Sequence, residues 1–545
     1  RDMLTCDFIA KYLKKRGVKQ VFGTPGSDTI SLINAFSDQG INYILTHHEN
    51  TAAYMASTYG EITGIPGVVI VTKGPGVTNL VSGIAAAYLD RRPIIIFSAI
   101  IDPELLAKNP HQDVELVSFG RLITKLSEEL TSKNAVELLD RAYRKSIEPR
   151  PGAVYLPISP VQAIQDIDIN EEQINSLITD FGEQSLPEKS DFDYAIDIIN
   201  ESSKPIIVAG VGVVGSKISE DLISFAHHIQ SPCCVTLQAV GSFPCDNSLY
   251  IGMYGWFGTP IDEMLKEADL IITIGLDGWD IIRPFKSQVP IISIDATDTN
   301  DRTFQPVMQE LKGQMSGILD FLKDNIGQRD TSKEWLSLAR DSFNKIQDYE
   351  LGVSEDYNSS DGIAPQLVYK EIRKIVPKDT IITADAGAHK SLASQAWLSY
   401  LPLTYFVSNG LSPMGFSLGA ALGAKIASPE RPVISFVGDG GFLMYAGELA
   451  TWRRLNIPMV QIIMVDNALT QVKSKQVKKG YNTESTSFDK IEYKKIVESF
   501  GIDAIEVNKI TELVKGVTRA LQLNKPISII VNLDGSEYLR MPSAV

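Results

Sequence analysis

A chain of 545 residues is too long for one compact core, and at roughly 150 residues per domain it divides into three or four. Hydrophobic residues make up 44% and charged residues 21%, which excludes a disordered or collagen-like chain. Lysine and arginine total 51 against 66 acidic residues, a net charge of −15 that opposes the basic footprint of a nucleic-acid binder and favours small-molecule chemistry.

The apolar runs, such as Gly67–Thr72 and Pro93–Ile101, fall far short of the ~18–20 residues of a membrane span, so neither membrane nor nucleic acid is expected as partner and a cytoplasmic protein is expected. The cysteines Cys6, Cys233, Cys234 and Cys245 form no CxxC pair and read as reduced packing residues, with Cys233 and Cys234 on a half-buried strand.

In chain order, short β-branched runs alternate with amphipathic helical patterns throughout, the signature of α/β doubly wound parallel sheets. The first third places strands at Gln20–Phe22, Asn42–Leu45, Val68–Val71 and Ile94–Phe97, with Gly23–Gly26, His47–Asn50 and Lys73–Gly76 in the turns that follow. The middle third has Pro205–Ala209 ahead of Gly210-Val211-Gly212, then Leu270–Ile274 and Ile291–Ile294. The last has Thr380–Thr383, Val433–Val437, Val460–Val465 and Ile527–Val531. Acid-rich stretches over 165–190 and 328–362 read as linkers, giving domains 1–165, 190–328 and 362–545.

One βαβ unit carries most of the chemical information. The strand Val433–Val437 runs into Gly438-Asp439-Gly440-Gly441, a helical pattern follows with its start at Phe442, and the next strand ends in Asp466-Asn467. A right-handed crossover makes the two strands parallel, so Asp439 and Asn467 leave the same sheet edge. A carboxylate and an amide oxygen beside bare glycine amides suit a hard divalent cation shared with a diphosphate. Asp-Gly is also a common turn former, and the spacing within one βαβ unit is what favours the metal.

Gly438-Asp439-Gly440 followed by Asp466-Asn467 resembles the thiamine diphosphate motif, which closes with Asn-Asn where this chain has Asp466. The likeness to the acetolactate synthase (acetohydroxyacid synthase) group extends over nearly the whole chain, through Phe22–Gly26, His48-Glu49, Gly74–Asn79, His111-Gln112-Asp113, Gly252–Gly255 and Met414-Gly415-Phe416. The resemblance implies pyrimidine-binding, central Rossmann-like and diphosphate-binding domains in that order. It implies Mg²⁺ on Asp439, Asn467 and the Leu469 carbonyl, with Pro25, Gly26, Gly74, Asn79, Gly387, Ala388, His389, Gly438, Gly440, Gly441 and Thr470 around the cofactor. Met414 takes the place of the bulky apolar residue that bends the cofactor, and Ala388 departs from the commoner Gln.

By the same resemblance Glu49 pairs with the ring nitrogen of the aminopyrimidine and promotes removal of the thiazolium proton, a task for a carboxyl group in an apolar pocket. On residue type alone it is equally a helix-start glutamate. Gln112 matches the residue that faces the thiazolium in carboligases, with His111 beside it on the substrate side. The implied function is cleavage of a 2-oxo acid with carboligation of the acyl anion equivalent by a homodimer or homotetramer, in which the Glu49 domain of one chain faces the Asp439 domain of another. A non-ligating 2-oxo acid decarboxylase, another C–C lyase and a degenerate regulatory homologue are the alternatives.

Two segments depart from the group. Where synthases carry Arg-Phe-Asp-Asp-Arg this chain reads Gly275–Ile281, without arginines and with Asp277, which leaves FAD open although Gly210-Val211-Gly212 and Gly255–Gly258 suit a flavin-like pocket. Where synthases carry Val-Arg-Gln-Trp-Gln it reads Val472–Gln476, with Lys475 in place of the aromatic residue. Lys473, Lys475, Lys478 and Lys479 form either a solvated helix face or a site for an anionic acceptor.

Overall fold

The computed structural model describes residues 3–255, 259–281, 285, 288–298 and 307–540. The β-branched runs form three six-stranded sheets, every neighbour pair parallel. Across the first sheet the strands run Asn42–Leu45, Gln20–Thr24, Gly67–Val71, Ile94–Ala99, Ala153–Ile158, Leu126–Ser127. Across the second they run Tyr250–Met253, Cys233–Val235, Pro205–Ala209, Leu270–Ile274, Ile291–Asp295, Gln309–Lys312. The third repeats the order of the first with Tyr405–Phe406, Ile381–Ala384, Val433–Gly438, Val460–Val465, Ile527–Asn532, Asp503–Val507. Central strands such as Gly67–Val71 and Leu270–Ile274 are buried along their length, as helices on both faces require.

In each sheet the strand order reverses inside the sheet, beside its earliest strand. There the turns after two neighbouring strands diverge and leave a crevice at the carboxyl edge. In the first sheet the reversal lies between Gln20–Thr24 and Gly67–Val71, in the second between Pro205–Ala209 and Leu270–Ile274, and in the third between Ile381–Ala384 and Val433–Gly438. Most residues singled out by motif follow one of these strands.

By contact density the chain forms two compact units: Arg1–Gly182 with Gly410–Glu430 and Tyr445–Ile457, and Glu183–Asn409 with Arg431–Met444 and Pro458–Val545. In the first unit the helix Phe416–Ala427 lies against Glu49–Thr63. A Cβ on Gly423 would stand 2.2 Å from the Met55 carbonyl oxygen, and the Thr58 hydroxyl donates to the Ala420 carbonyl at 2.8 Å. Small residues are what let the two backbones approach.

The acid-rich stretches are more structured than linkers. Glu171–Leu177 is a helix with an Asn170/Gln173 capping box. Lys333–Lys345 is a helix whose buried Trp335 donates to the Pro205 carbonyl at 2.8 Å, tying it to the second sheet. Cys233 and Cys234 are fully rather than half buried, because their strand lies inside a covered parallel sheet; all four cysteines are free and buried. Among the described residues no helix is long and apolar enough to cross a membrane.

Candidate active site

Parallel pairing of neighbouring strands in the third sheet brings its two motif-bearing turns together. Val433–Gly438 and Val460–Val465 pair in parallel from Ile434 and Val460 to Gly438 and Met464, so Asp439 and Asn467 leave adjacent strand ends. The helix after the glycine turn begins at Asp439, earlier than the Phe442 start read from the pattern, since the bare glycines continue the helical turn. Asp439 is 2% exposed; its Oδ2 accepts the N–H of Asn467 at 2.7 Å and of Asp466 at 3.0 Å, and its Oδ1 accepts the Gly440 N–H at 2.9 Å. Burial, reinforced by the Asp466 carboxylate, still pushes Asp439 up to about 7.

Asn467 takes a left-handed backbone at φ 55, and its buried Oδ1 has no hydrogen-bond partner among the described residues. An amide oxygen left bare beside a carboxylate in need of positive charge fits an oxygen-seeking cation. No cluster of three or more His, Cys, Asp or Glu side chains suited to a metal occurs among the described residues, so a cation here would need main chain, water or an anion to complete its ligands. The Leu469 carbonyl accepts the N–H groups of Val472 at 3.0 Å and Lys473 at 2.9 Å as the helix Thr470–Lys479 begins, so in this conformation it serves the helix. Asp466 is held by the Thr470 hydroxyl, and burial raises its carboxyl above the usual carboxylate range against the opposing pull of Thr470 and Lys473.

Across the same crevice Gly387, at φ 134, caps the helix Ala388–Ala396. A Cβ on Gly387 or on Gly438 would stand 2.8 Å from the His389 ring, so both glycines make room for that imidazole. His389 is buried. Burial and neighbouring Lys390 hold it neutral, down to about 4, and its Nε2 has no partner among the described residues.

In the first unit Glu49 opens the helix Glu49–Thr63 and is 8% exposed, with the His48 ring capping the turn through the Asn50 N–H at 3.1 Å. Pro25 and Gly26 follow the first strand, where a Cβ on Gly26 would collide with Thr72 and Asp28. Gly74, at φ 61, packs on Gln112, itself left-handed at φ 61, with 2.9 Å between the Gln112 Cβ and a notional Gly74 Cβ. His111, Gln112 and Asn79 are exposed, and Met414 is half-buried ahead of left-handed Gly415. In the second unit Lys475 is exposed on a helix with no buried residue. Sequence reasoning passed over Glu448 and Tyr445, which hold the turn before Glu49; a lone carboxylate amid the pattern Leu443, Leu449, Trp452 was the available signal.

The glycines of the central domain serve a different purpose. Cβ atoms on Gly210 and Gly212 would stand 2.6 and 2.7 Å from the Gly275 backbone. The Gly212 N–H is taken by the Gly275 carbonyl and the Val213 N–H by the Gly210 carbonyl, while the Val211 N–H goes to Asp280 Oδ2 at 3.1 Å. Among the described residues the amides of this turn, from Gly210 to Val213, are all bonded within the chain. Trp256, Phe257 and Gly258 of the second flavin-like segment lie outside the described residues.

Three families of known domains match the chain: the thiamine pyrophosphate enzyme N-terminal TPP binding domain over residues 3–118, the central domain over 192–322 and the C-terminal TPP binding domain over 385–531. A Methanocaldococcus jannaschii protein named "Probable acetolactate synthase large subunit" is 30% identical, covering 99% of this chain and 93% of its own. Acetolactate synthase of Bacillus subtilis is 29% identical over 98% of this chain and 94% of its own, and the acetolactate synthase large subunit of Lactococcus lactis subsp. lactis is 29% identical over 97% and 92%.

Proposed function

Because the chain belongs to the thiamine diphosphate-dependent, acetolactate synthase-like enzymes, we propose that it cleaves a 2-oxo acid and transfers the acyl unit to a second carbonyl compound, with Glu49 managing the cofactor's proton and Asp439 and Asn467 holding Mg²⁺. Bound thiamine diphosphate supplies the electron sink. The observation that carries the reading is the Asn467 Oδ1, without a hydrogen-bond partner among the described residues, beside the buried Asp439 at a sheet reversal point. Gly440 leaves room for the diphosphate, and Gly387 and Gly438 admit the His389 ring, which burial keeps neutral beside it. Asp466, unlike the family's Asn, adds negative charge behind the metal ligands, and Thr470 and Lys473 compensate it.

Near-complete burial of Glu49 at a helix start gives it the apolar setting for sharing a proton with the aminopyrimidine. Met414 shapes the cofactor, and Gln112 and His111 lie on the donor side. Exposed Lys475 favours an acceptor with an anionic group if the helix Thr470–Lys479 closes over substrate. The enclosed central glycine turn supports a flavin-free enzyme. Four unpaired cysteines support a cytoplasmic setting, and the resemblance supports a homodimer or homotetramer.

The test is product identification by mass spectrometry from a panel of 2-oxo acids with Mg²⁺ and thiamine diphosphate, alongside the absorbance of the purified protein. Ligated products and no flavin band are expected; aldehyde alone would favour the decarboxylase. Glu49→Gln is expected to bind cofactor nearly as tightly while proton exchange at the thiazolium carbon slows by about 100-fold or more. Near-normal exchange would remove Glu49 from the mechanism.

A further inference from the structure

The turn that carries Glu49 is held by a residue outside its own helix. Glu448 is 2% exposed, and its carboxylate accepts the His47 N–H at 3.0 and 3.2 Å, the His48 N–H at 2.5 Å and the Thr451 hydroxyl at 2.6 Å. All of these groups belong to one compact unit. Tyr445 adds a second hold: its hydroxyl accepts from Asn50 Nδ2 at 3.2 Å, and its ring meets the His48 ring edge-on with centroids 5.0 Å apart. The Asn50 Oδ1 in turn accepts the Gly83 N–H at 2.8 Å. None of these bonds uses the Glu49 carboxylate. Its neighbours on both sides are fixed while its own oxygens are left for other work.

We propose that Glu448 is a positioning residue for Glu49: by fixing the His47–His48 backbone it sets the angle from which the Glu49 carboxyl meets the cofactor. A burial as complete as that of Glu448 disfavours a carboxylate unless charge-assisted donors repay it, and here two of the three donors are the amides immediately before Glu49. A glutamine can keep its oxygen on the two amides and turn its N–H₂ to the Thr451 hydroxyl, so it loosens the turn by removing the charge from these bonds. Placement errors near 1 Å cost on the order of 100-fold in rate, so a holder at this point acts on proton transfer before it acts on affinity.

The inference rests on Glu49 being the proton-sharing carboxyl, and Glu448→Gln in the full-length protein tests it. Without cofactor, hydrogen exchange read by mass spectrometry is expected to speed up at the His47 and His48 amides by about 10-fold or more. With thiamine diphosphate and Mg²⁺, the dissociation constant from fluorescence titration is expected to stay within about threefold while thiazolium proton exchange falls by about 10- to 100-fold, and Glu448→Asp is expected to recover part of the loss. Unchanged amide exchange, thiazolium exchange within about twofold of the parent, or affinity and exchange falling together would overturn the proposal. Should Glu448→Gln fail to fold, Thr451→Val, which removes one donor and keeps the carboxylate, must show the same split at smaller size, and no split overturns it. Normal exchange in Glu49→Gln would instead strike the underlying reading.

Discussion

Asp439 accepts three backbone N–H bonds, and burial beside the Asp466 carboxylate still pushes it up to about 7. On the proposed reading a divalent cation would offset this and give the diphosphate a counter-charge that the glycine amides alone do not provide. Asp439→Ala is therefore expected to weaken thiamine diphosphate binding by about 100-fold or more in the presence of Mg²⁺ and to change it little in the absence of metal. Calorimetric titrations with and without Mg²⁺ check this, and equal affinity of parent and variant under both conditions would place the metal elsewhere. The pair Asp439 and Asn467 was legible in the sequence because both residues end strands of one βαβ unit, where spacing translates directly into position. Glu448 was not, because its amide partners stand 400 and 401 positions away in the chain and a periodicity does not reveal them.

At the scale of elements, the reversal point of each sheet sorts glycine turns into two kinds. In the third sheet Gly387 and Gly438 make way for a side chain with a bare nitrogen; in the second Gly210 and Gly212 make way for the loop at Gly275. The sequence shows the same residue type in both, and only the packing tells whether the space was opened for a ligand or for the chain itself. The loop is pinned by Asp280, whose oxygens face the amides of Val211 and Gln238 and the hydroxyl of Thr236, with the Asp277 carboxylate adding repulsion. Burial pushes this acid from 3.8 up to about 7. A folded-state value above the unfolded one means that the native state binds the extra proton, so the contribution is full below the unfolded value and is lost as pH rises through about 7. Chemical denaturation of the parent across this window is expected to show stability falling by a few kcal/mol relative to the profile of Asp280→Asn, which has no proton to lose there. Parallel profiles for the two proteins would mean that Asp280 titrates at an ordinary value.

For the whole molecule, the division into three parallel sheets follows from the alternation of apolar runs, but the segments Gly410–Glu430 and Tyr445–Ile457 join the unit of the first sheet rather than that of the third. Helix faces rich in small residues, as in Phe416–Ala427, do not announce their partner in the sequence. Assembly is governed at this same scale by charge. Each chain carries −15, so two copies repel, and the repulsion weakens as salt screens it. If, as the resemblance implies, the cofactor lies between the Glu49 side of one chain and the Asp439 side of another, it would bind only the assembled form and stabilise it by mass action, about 2.7 kcal/mol at a ligand concentration of 100 times the dissociation constant. Sedimentation velocity at low ionic strength is therefore expected to show a cofactor-free protein that dissociates on dilution and a protein with thiamine diphosphate and Mg²⁺ that does not. The thermal midpoint is expected to rise with protein concentration in both states. A monomer with full activity at micromolar concentration would show that one chain encloses the cofactor alone, and the linkage between cofactor and assembly would be absent.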